Sequence, residues 1–371
     1  MLLAADQIVV PEASGPAPGW LQISGEWIVA VGLGSPPGRP DEQLTGLVAP
    51  GFVDVHAHGG GGASFITENP DEARQVVATH GRYGTTTMVA SLVTGATTEV
   101  KRQLACLAGL VDSGELAGIH LEGPWLAPEY KGAHSRELLC DPDPAQIAEL
   151  LAAGGGAVRM VTIAPERAQS LAAIEFLRSQ QVVVALGHTN ADAATCRAAI
   201  AAGATGATHL FNAMAPLHHR APGPVLALWQ DPRVYLELIV DPSHLDVELV
   251  AFVVSTQPDR VVFISDAMAA AGAGDGDYQL GSVPVQVRQS VARVAGSETI
   301  AGSTLTLDRA VRQAVAAGVP LMQALKAATQ TPSDYLGLTD VGRLAPQHRA
   351  DLVVLDAALS VTRVMQRGVW L

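Results

Sequence analysis

The stretch "GFVDVHAHGGGG", residues 51–62, runs an apolar, β-branched segment into two histidines one residue apart and then into four glycines. Phe52, Val53 and Val55 read as a strand, and the glycines as the loop that ends it. Successive side chains of a strand point to opposite faces, so His56 and His58 project together while Val55 and Ala57 project the other way. Taken alone, such a pair is either two satisfied core histidines or two ligands of one ion. The rest of the chain decides between them.

Seven more runs of this kind follow: "TTTMVASLV" (85–93), "GIHLEGP" (118–124), "VRMVTIAPE" (158–166), "VVVALGHT" (182–189), "GATHLFNAM" (206–214), "VYLELIVD" (234–241) and "VVFISDAM" (261–268). Ala- and Leu-rich segments of helical period separate them. "NPDEARQVVATHGRYG" opens on Asn-Pro and closes on Gly, and "NADAATCRAAIAAG" opens on Asn and closes on Gly, the start and stop signals of helices. Eight alternating βα units predict an α/β fold, a TIM-like (β/α)8 barrel over residues 50–339. A β-hairpin is expected within it near 277–296. Residues 1–49 and 340–371 lack helical period and are expected to build one small β-sandwich domain from both termini.

Composition narrows the partners. Thirty-six acidic residues against 23 basic ones leave a net charge of −13, which repels nucleic acid and anionic membranes at long range. An anionic small substrate therefore needs a local cationic pocket. The N-terminus carries no signal-peptide pattern and no run of about 18 apolar residues occurs, so a cytoplasmic protein without a membrane anchor is expected. Cys106, Cys140 and Cys196 form no CxxC pair, which suits a reducing compartment.

Barrel active sites lie at the C-terminal ends of the strands. There the sequence places His56 and His58 on strand one, Glu122 on strand three, His188 on strand five, His209 on strand six and Asp266 on strand eight. Each has a plain structural reading: a Glu can pair with a neighbouring cation, a His can bond to backbone, and Asp266 can cap the following helix. Their coincidence at one mouth points instead to a nitrogen and oxygen site for a divalent cation, zinc first, with iron, manganese or cobalt as alternatives. Asp266 can then be general base to the attacking water or a ligand itself. Two cationic loops, "LHHRAPG" with His218, His219 and Arg220, and "YKGAH" with Lys131 and His134, fall on the same face. A loop Lys or Arg is ordinarily just solvated.

With these residues in place, the chain resembles the amidohydrolase superfamily and, within it, the N-acetylglucosamine-6-phosphate deacetylase family. The resemblance runs through "PGFVDVHAHGGGG", "HLEGPWLAPEYKGAH", "LGHTNA", "THLFNAMAPLHHRAPG", "ISDAMAAAG", "IAGSTLTLDRAV" and "GRLAPQHRADLVVLD". It implies metal ligands at Glu122, His188 and His209, and a catalytic aspartate at Asp266. It implies substrate contacts at Ala133 and His134, Asn212 and Ala213, Arg220, His244, and Ile300, Ala301 and Gly302. Asn212, Ala213 and Arg220 are implied to hold a 6-phosphate, with Arg220 reaching the neighbouring subunit of a homodimer. His134 is implied to stabilise the oxyanion and His244 to orient sugar hydroxyls.

The sequence departs from the family pattern at two places. Members with histidines at 56 and 58 can hold a second cation, so one or two per chain are expected. Where an Asp-Gly-x-His is common, this chain has Asp241-Pro242-Ser243-His244, and proline has no N–H to offer. The implied activity is hydrolysis of the acetamide of N-acetyl-D-glucosamine 6-phosphate. One alternative is a metal-dependent amidohydrolase acting on a non-phosphorylated N-acyl or cyclic amide. Another is a catalytically silent barrel, whose cue, a missing ligand, is not found.

Overall fold

The computed structural model describes residues 1–11 and 13–371. The eight runs form eight parallel strands: β1 (Phe52–Ala57), β2 (Thr85–Val93), β3 (Gly118–Glu122), β4 (Val158–Ile163), β5 (Val183–Leu186), β6 (Gly206–Ala207), β7 (Tyr235–Ile239) and β8 (Val261–Ile264). Each pairs with the next in chain order. The ring closes just beyond β8, where the Asp266 N–H donates to the His56 carbonyl at 2.9 Å and the His58 N–H to the Ala267 carbonyl at 2.8 Å. The fold is therefore a (β/α)8 barrel. The sixth run is the one most shortened: Thr208 and Leu210 still donate to the Leu186 and Glu237 carbonyls, but left-handed backbone at His209, Phe211 and Ala213 ends the regular strand at Ala207.

A helix follows every strand: α1 (Pro70–Arg82), α2 (Thr97–Asp112), α3 (Pro144–Ala153), α4 (Ser170–Ser179), α5 (Ala193–Ala202), α6 (Gly223–Gln230), α7 (Val247–Thr256) and α8 (Leu307–Ala316). Asn69 caps α1 by accepting the Asp71 N–H at 3.0 Å, with Pro70 in the first turn. For α5 the start lies two residues later than Asn190 suggests. Asp192 is the cap, accepting the Thr195 N–H at 2.7 Å, and the Asn190 N–H is held outside the helix by the carboxylate of Glu166. Two more helices, α9 (Leu321–Ala328) and α10 (Gln330–Leu336), complete the shell.

The chain ends meet beside the barrel. As expected, both termini build one small β domain; its hydrogen bonding runs through a seven-stranded sheet, ordered Val369–Trp370, Val361–Gln366, Leu352–Leu355, Glu42–Pro50, Leu2–Ile8, Ala17–Ser24, Trp27–Leu33. It has a core of its own, which includes Leu3, Leu21, Ile28, Val48, Leu352 and Met365. Between β8 and α8 the chain makes a three-stranded antiparallel meander, Gly276–Leu280, Val283–Arg288 and Val291–Val294, one strand more than a hairpin. Its buried face, with Leu280, Val285 and Val287, packs on Val93 at the end of β2 and on Met268. The meander thus stands at the mouth of the barrel. Among the described residues no helix is long and apolar enough to cross a membrane.

Candidate active site at the barrel mouth

Five of the polar residues picked from the strand ends come together with His134 in one buried cluster, and His209 joins them. Glu122 is the last residue of β3. The others follow a common rule: His188, His209 and Asp266 each sit two residues past the last residue of β5, β6 and β8. Each also has left-handed backbone, with φ of 47°, 30° and 46°. Non-glycine residues rarely adopt that region, and where they do the strain is commonly functional. Here it turns three different strand ends inward.

The ring nitrogens sort into two kinds. His188 Nδ1 faces the Tyr130 carbonyl at 2.7 Å, His209 Nδ1 the Asn212 carbonyl at 3.2 Å, and His58 Nδ1 the Ser91 carbonyl at 3.1 Å. His56 Nδ1 faces the Glu237 carboxylate at 3.2 Å. All four partners only accept, so the four rings carry hydrogen on Nδ1 and aim Nε2 at the centre. There His188 and His209 bring their Nε2 atoms within 3.1 Å of each other and of Glu122 Oε1. His56 and His58 stand 3.2 Å apart at Nε2, and His58 Nε2 lies 3.1 Å from Asp266 Oδ1 and 3.3 Å from Glu122 Oε2. Lone pairs and carboxylate oxygens packed this closely need positive charge between them. The donors fit a divalent cation, and the outer acceptors fit the shell that orients metal-binding imidazoles.

His134 is of the other kind. Its Nδ1 accepts the backbone N–H of Thr94 at 3.3 Å and lies 2.9 Å from the Thr94 hydroxyl, which leaves the hydrogen on Nε2. That nitrogen is 3.4 Å from Glu122 Oε2. Although His134 lies within ligand distance, it enters the site as a hydrogen-bond donor.

Electrostatics agree with this picture. Burial pushes His58 down, but hydrogen bonds to Asp266 and Glu122 outweigh it and lift the imidazole to about 9. His56 is also raised, against burial, chiefly by Glu122 and Asp266. Burial pushes Glu122 and Asp266 up, yet the imidazoles around them hold both carboxyls below their ordinary values. His188, where burial prevails, falls to about 4.

The remaining expected residues separate. Ala133, His134, Ala213, His244, Ile300 and Gly302 line the same cavity as the cluster. Asn212 is half-buried and does not line the cavity, and its amide reaches the Leu210 carbonyl at 3.5 Å. Ala301 is fully buried behind the cavity wall, its N–H held by the Ala292 carbonyl. Arg220 is exposed and stands outside the cavity, with Nη1 2.7 Å from His219 Nε2. Pro242 costs nothing in its turn: Asp241 accepts the N–H groups of Ser243 and His244 and grips His244 Nδ1 at 2.9 Å, so no N–H is needed at 242.

The strand ends do not reveal Val93, Gly132 and Leu280 on the cavity wall, nor Thr94 and Glu237 behind the imidazoles. For Glu237 a signal exists, a lone charge in the apolar run "VYLELIVD".

Comparison with known proteins accords with this geometry. The family model described as "Amidohydrolase family" matches residues 47–371. In structure, the chain is similar to N-acetyl-D-glucosamine-6-phosphate deacetylase from Mycobacterium smegmatis, solved as an Asp-to-Ala mutant in complex with N-acetyl-D-glucosamine-6-phosphate. The two are 49% identical with a TM-score of 0.97, over 100% of this chain and 98% of that one. In sequence it is 37% identical to N-acetylgalactosamine-6-phosphate deacetylase of Escherichia coli O157:H7, over 88% of each chain. It is 36% identical to N-acetylglucosamine-6-phosphate deacetylase of Bos taurus, over 87% of this chain and 83% of that one. By descent as by geometry, the chain belongs to the amidohydrolase family.

Proposed function

We propose that the protein hydrolyses the acetamide of N-acetyl-D-glucosamine 6-phosphate to D-glucosamine 6-phosphate and acetate. The observation that carries this reading is the sorting of ring nitrogens: four imidazoles aim Nε2 at two carboxylates while His134 presents an N–H beside them. Relatives named for this activity, one solved with this sugar phosphate, give the substrate.

Glu122, His188 and His209 would hold one divalent cation, and His56, His58 and Asp266 a second. Zinc suits the nitrogen and oxygen donors first. When bound, such a cation acidifies water and polarises a carbonyl. Asp266, ionised at neutral pH, takes a proton from the attacking water and returns it to the nitrogen as the C–N bond breaks, since an amine anion is too poor a leaving group to depart unprotonated. His134 donates from Nε2 to the carbonyl oxygen as charge gathers there. His244, fixed by Asp241, faces the sugar hydroxyls.

The phosphate falls to Asn212, Ala213 and Arg220, whose planar fork can hold it in two hydrogen bonds on an otherwise acidic protein. Arg220 stands outside its own chain's cavity, which supports a homodimer in which it serves the neighbouring site. Leu217, Val247 and Phe252, exposed by 52%, 47% and 55%, supply apolar surface on the same loop and on α7. The net charge of −13 and three cysteines without a CxxC pair suit a cytoplasmic enzyme.

The test is acetate release from the sugar with and without its 6-phosphate, with the C4 epimer N-acetyl-D-galactosamine 6-phosphate run alongside. Equal kcat/KM on the phosphorylated and plain sugars would defeat the phosphate assignment. An Asp266→Asn enzyme that keeps its metal should lose about 100- to 10,000-fold in kcat, and a wild-type rate would defeat the proton-transfer role.

A further inference from the structure

The inside of a (β/α)8 barrel is ordinarily filled by branched apolar side chains. Behind His56 it holds a chain of polar ones. Glu237, fully buried in the middle of β7, faces His56 Nδ1 through Oε2 at 3.2 Å. Its other oxygen accepts from the Tyr335 hydroxyl across 3.4 Å. Tyr335 belongs to α10, is 4% exposed, and stacks on Tyr235 with ring centroids 4.9 Å apart. A Cβ on Gly206 would stand 1.7 Å from the Tyr335 hydroxyl oxygen, so β6 carries a glycine where the phenol enters the barrel. A buried carboxylate and a buried phenol are costly unless each has a partner. Neither lines the substrate cavity, and the chain they form ends on His56.

We propose that Glu237 and Tyr335 are positioning residues for the cation subsite of His56 and His58. Glu237 keeps the proton of His56 on Nδ1, so that Nε2 is presented to the cation, and Tyr335 holds Glu237 in place. This rests on the two-cation reading above. In Glu237→Gln the amide can donate to Nδ1 instead, which moves the proton to Nε2 and spoils that nitrogen as a ligand. His188 and His209 rely on backbone carbonyls and keep their geometry.

The experiment loads metal-free full-length wild type, Glu237→Gln and Tyr335→Phe with Co²⁺, followed by equilibrium dialysis and visible absorption. Wild type should take up two equivalents. Glu237→Gln should bind one equivalent as wild type does and the other about 10- to 100-fold more weakly, the range seen when a ligand's outer partner is lost. Tyr335→Phe should weaken the same equivalent by less and shift its absorption band, a change that a purely structural role in packing would not confine to one of two cations. Should Glu237→Gln fail to fold, Tyr335→Phe, which removes one oxygen atom, decides alone. Two equivalents in wild type with unchanged affinities and bands in the variants overturn the positioning role only. A single equivalent in wild type overturns the two-cation reading and this proposal with it.

Discussion

His134 shows how one hydrogen atom decides a role. It lies as near to Glu122 as a ligand would, but the Thr94 N–H occupies its Nδ1 and leaves a donor facing the cavity. His134→Asn should therefore lower kcat by about 100- to 1,000-fold, the typical loss of an oxyanion donor, while metal content by elemental analysis stays at the wild-type value. His188→Asn should lower both. The same cluster sets a pH signature in the metal-free protein. His58 is raised to about 9, so the stability it contributes is present below about pH 6.5 and is lost as pH rises through 9. His188 is depressed to about 4, so its contribution is present above about pH 6.5 and is lost as pH falls through 4. On these two groups the metal-free protein is most stable near pH 6.5. A melting temperature that climbed steadily from pH 6.5 to 9 would refute the assignment.

At the level of elements, the strand ends were readable because chemistry-bearing residues interrupt apolar runs, as His56, Glu122, His188 and Asp266 do. The left-handed backbone at His188, His209 and Asp266 was not readable, since none of these residue types demands it. Likewise "GATHLFNAM" looks like a full strand, yet regular pairing covers only Gly206–Ala207, with the Thr208 and Leu210 N–H groups still held by Leu186 and Glu237. Leu280 escaped notice because its meander lies far along the chain from the strand end it covers. That meander depends on a turn at Gln289 and Ser290, both left-handed, whose N–H groups are held by Asp275 at 2.6 and 2.9 Å. Asp275→Ala should speed amide exchange across Val283–Val294 and leave β1 to β8 protected, as hydrogen exchange with mass spectrometry can show.

Across the whole molecule, the proposed homodimer, with Arg220 serving the neighbouring site, predicts complementation. Arg220→Ala and Asp266→Asn are each expected to be nearly inactive, but a mixed dimer has one site with both residues intact. After subunit exchange at equal amounts, about a quarter of the wild-type sites should recover. No recovery, with mixed dimers confirmed by native mass spectrometry, would place Arg220 in its own chain's site.

The terminal sheet carries a consequence for how the protein is made. The strand Glu42–Pro50 bonds on one side to Leu2–Ile8 and on the other to Leu352–Leu355, which leaves the ribosome about 300 residues later. At ordinary elongation rates that is a wait of about 15 to 60 seconds. Throughout it the strand that leads into the barrel presents an unpaired edge, an invitation to pair with another nascent chain. The barrel is thus complete before the sheet beside it can close, and synthesis itself sets the interval during which the young chain is most exposed to aggregation.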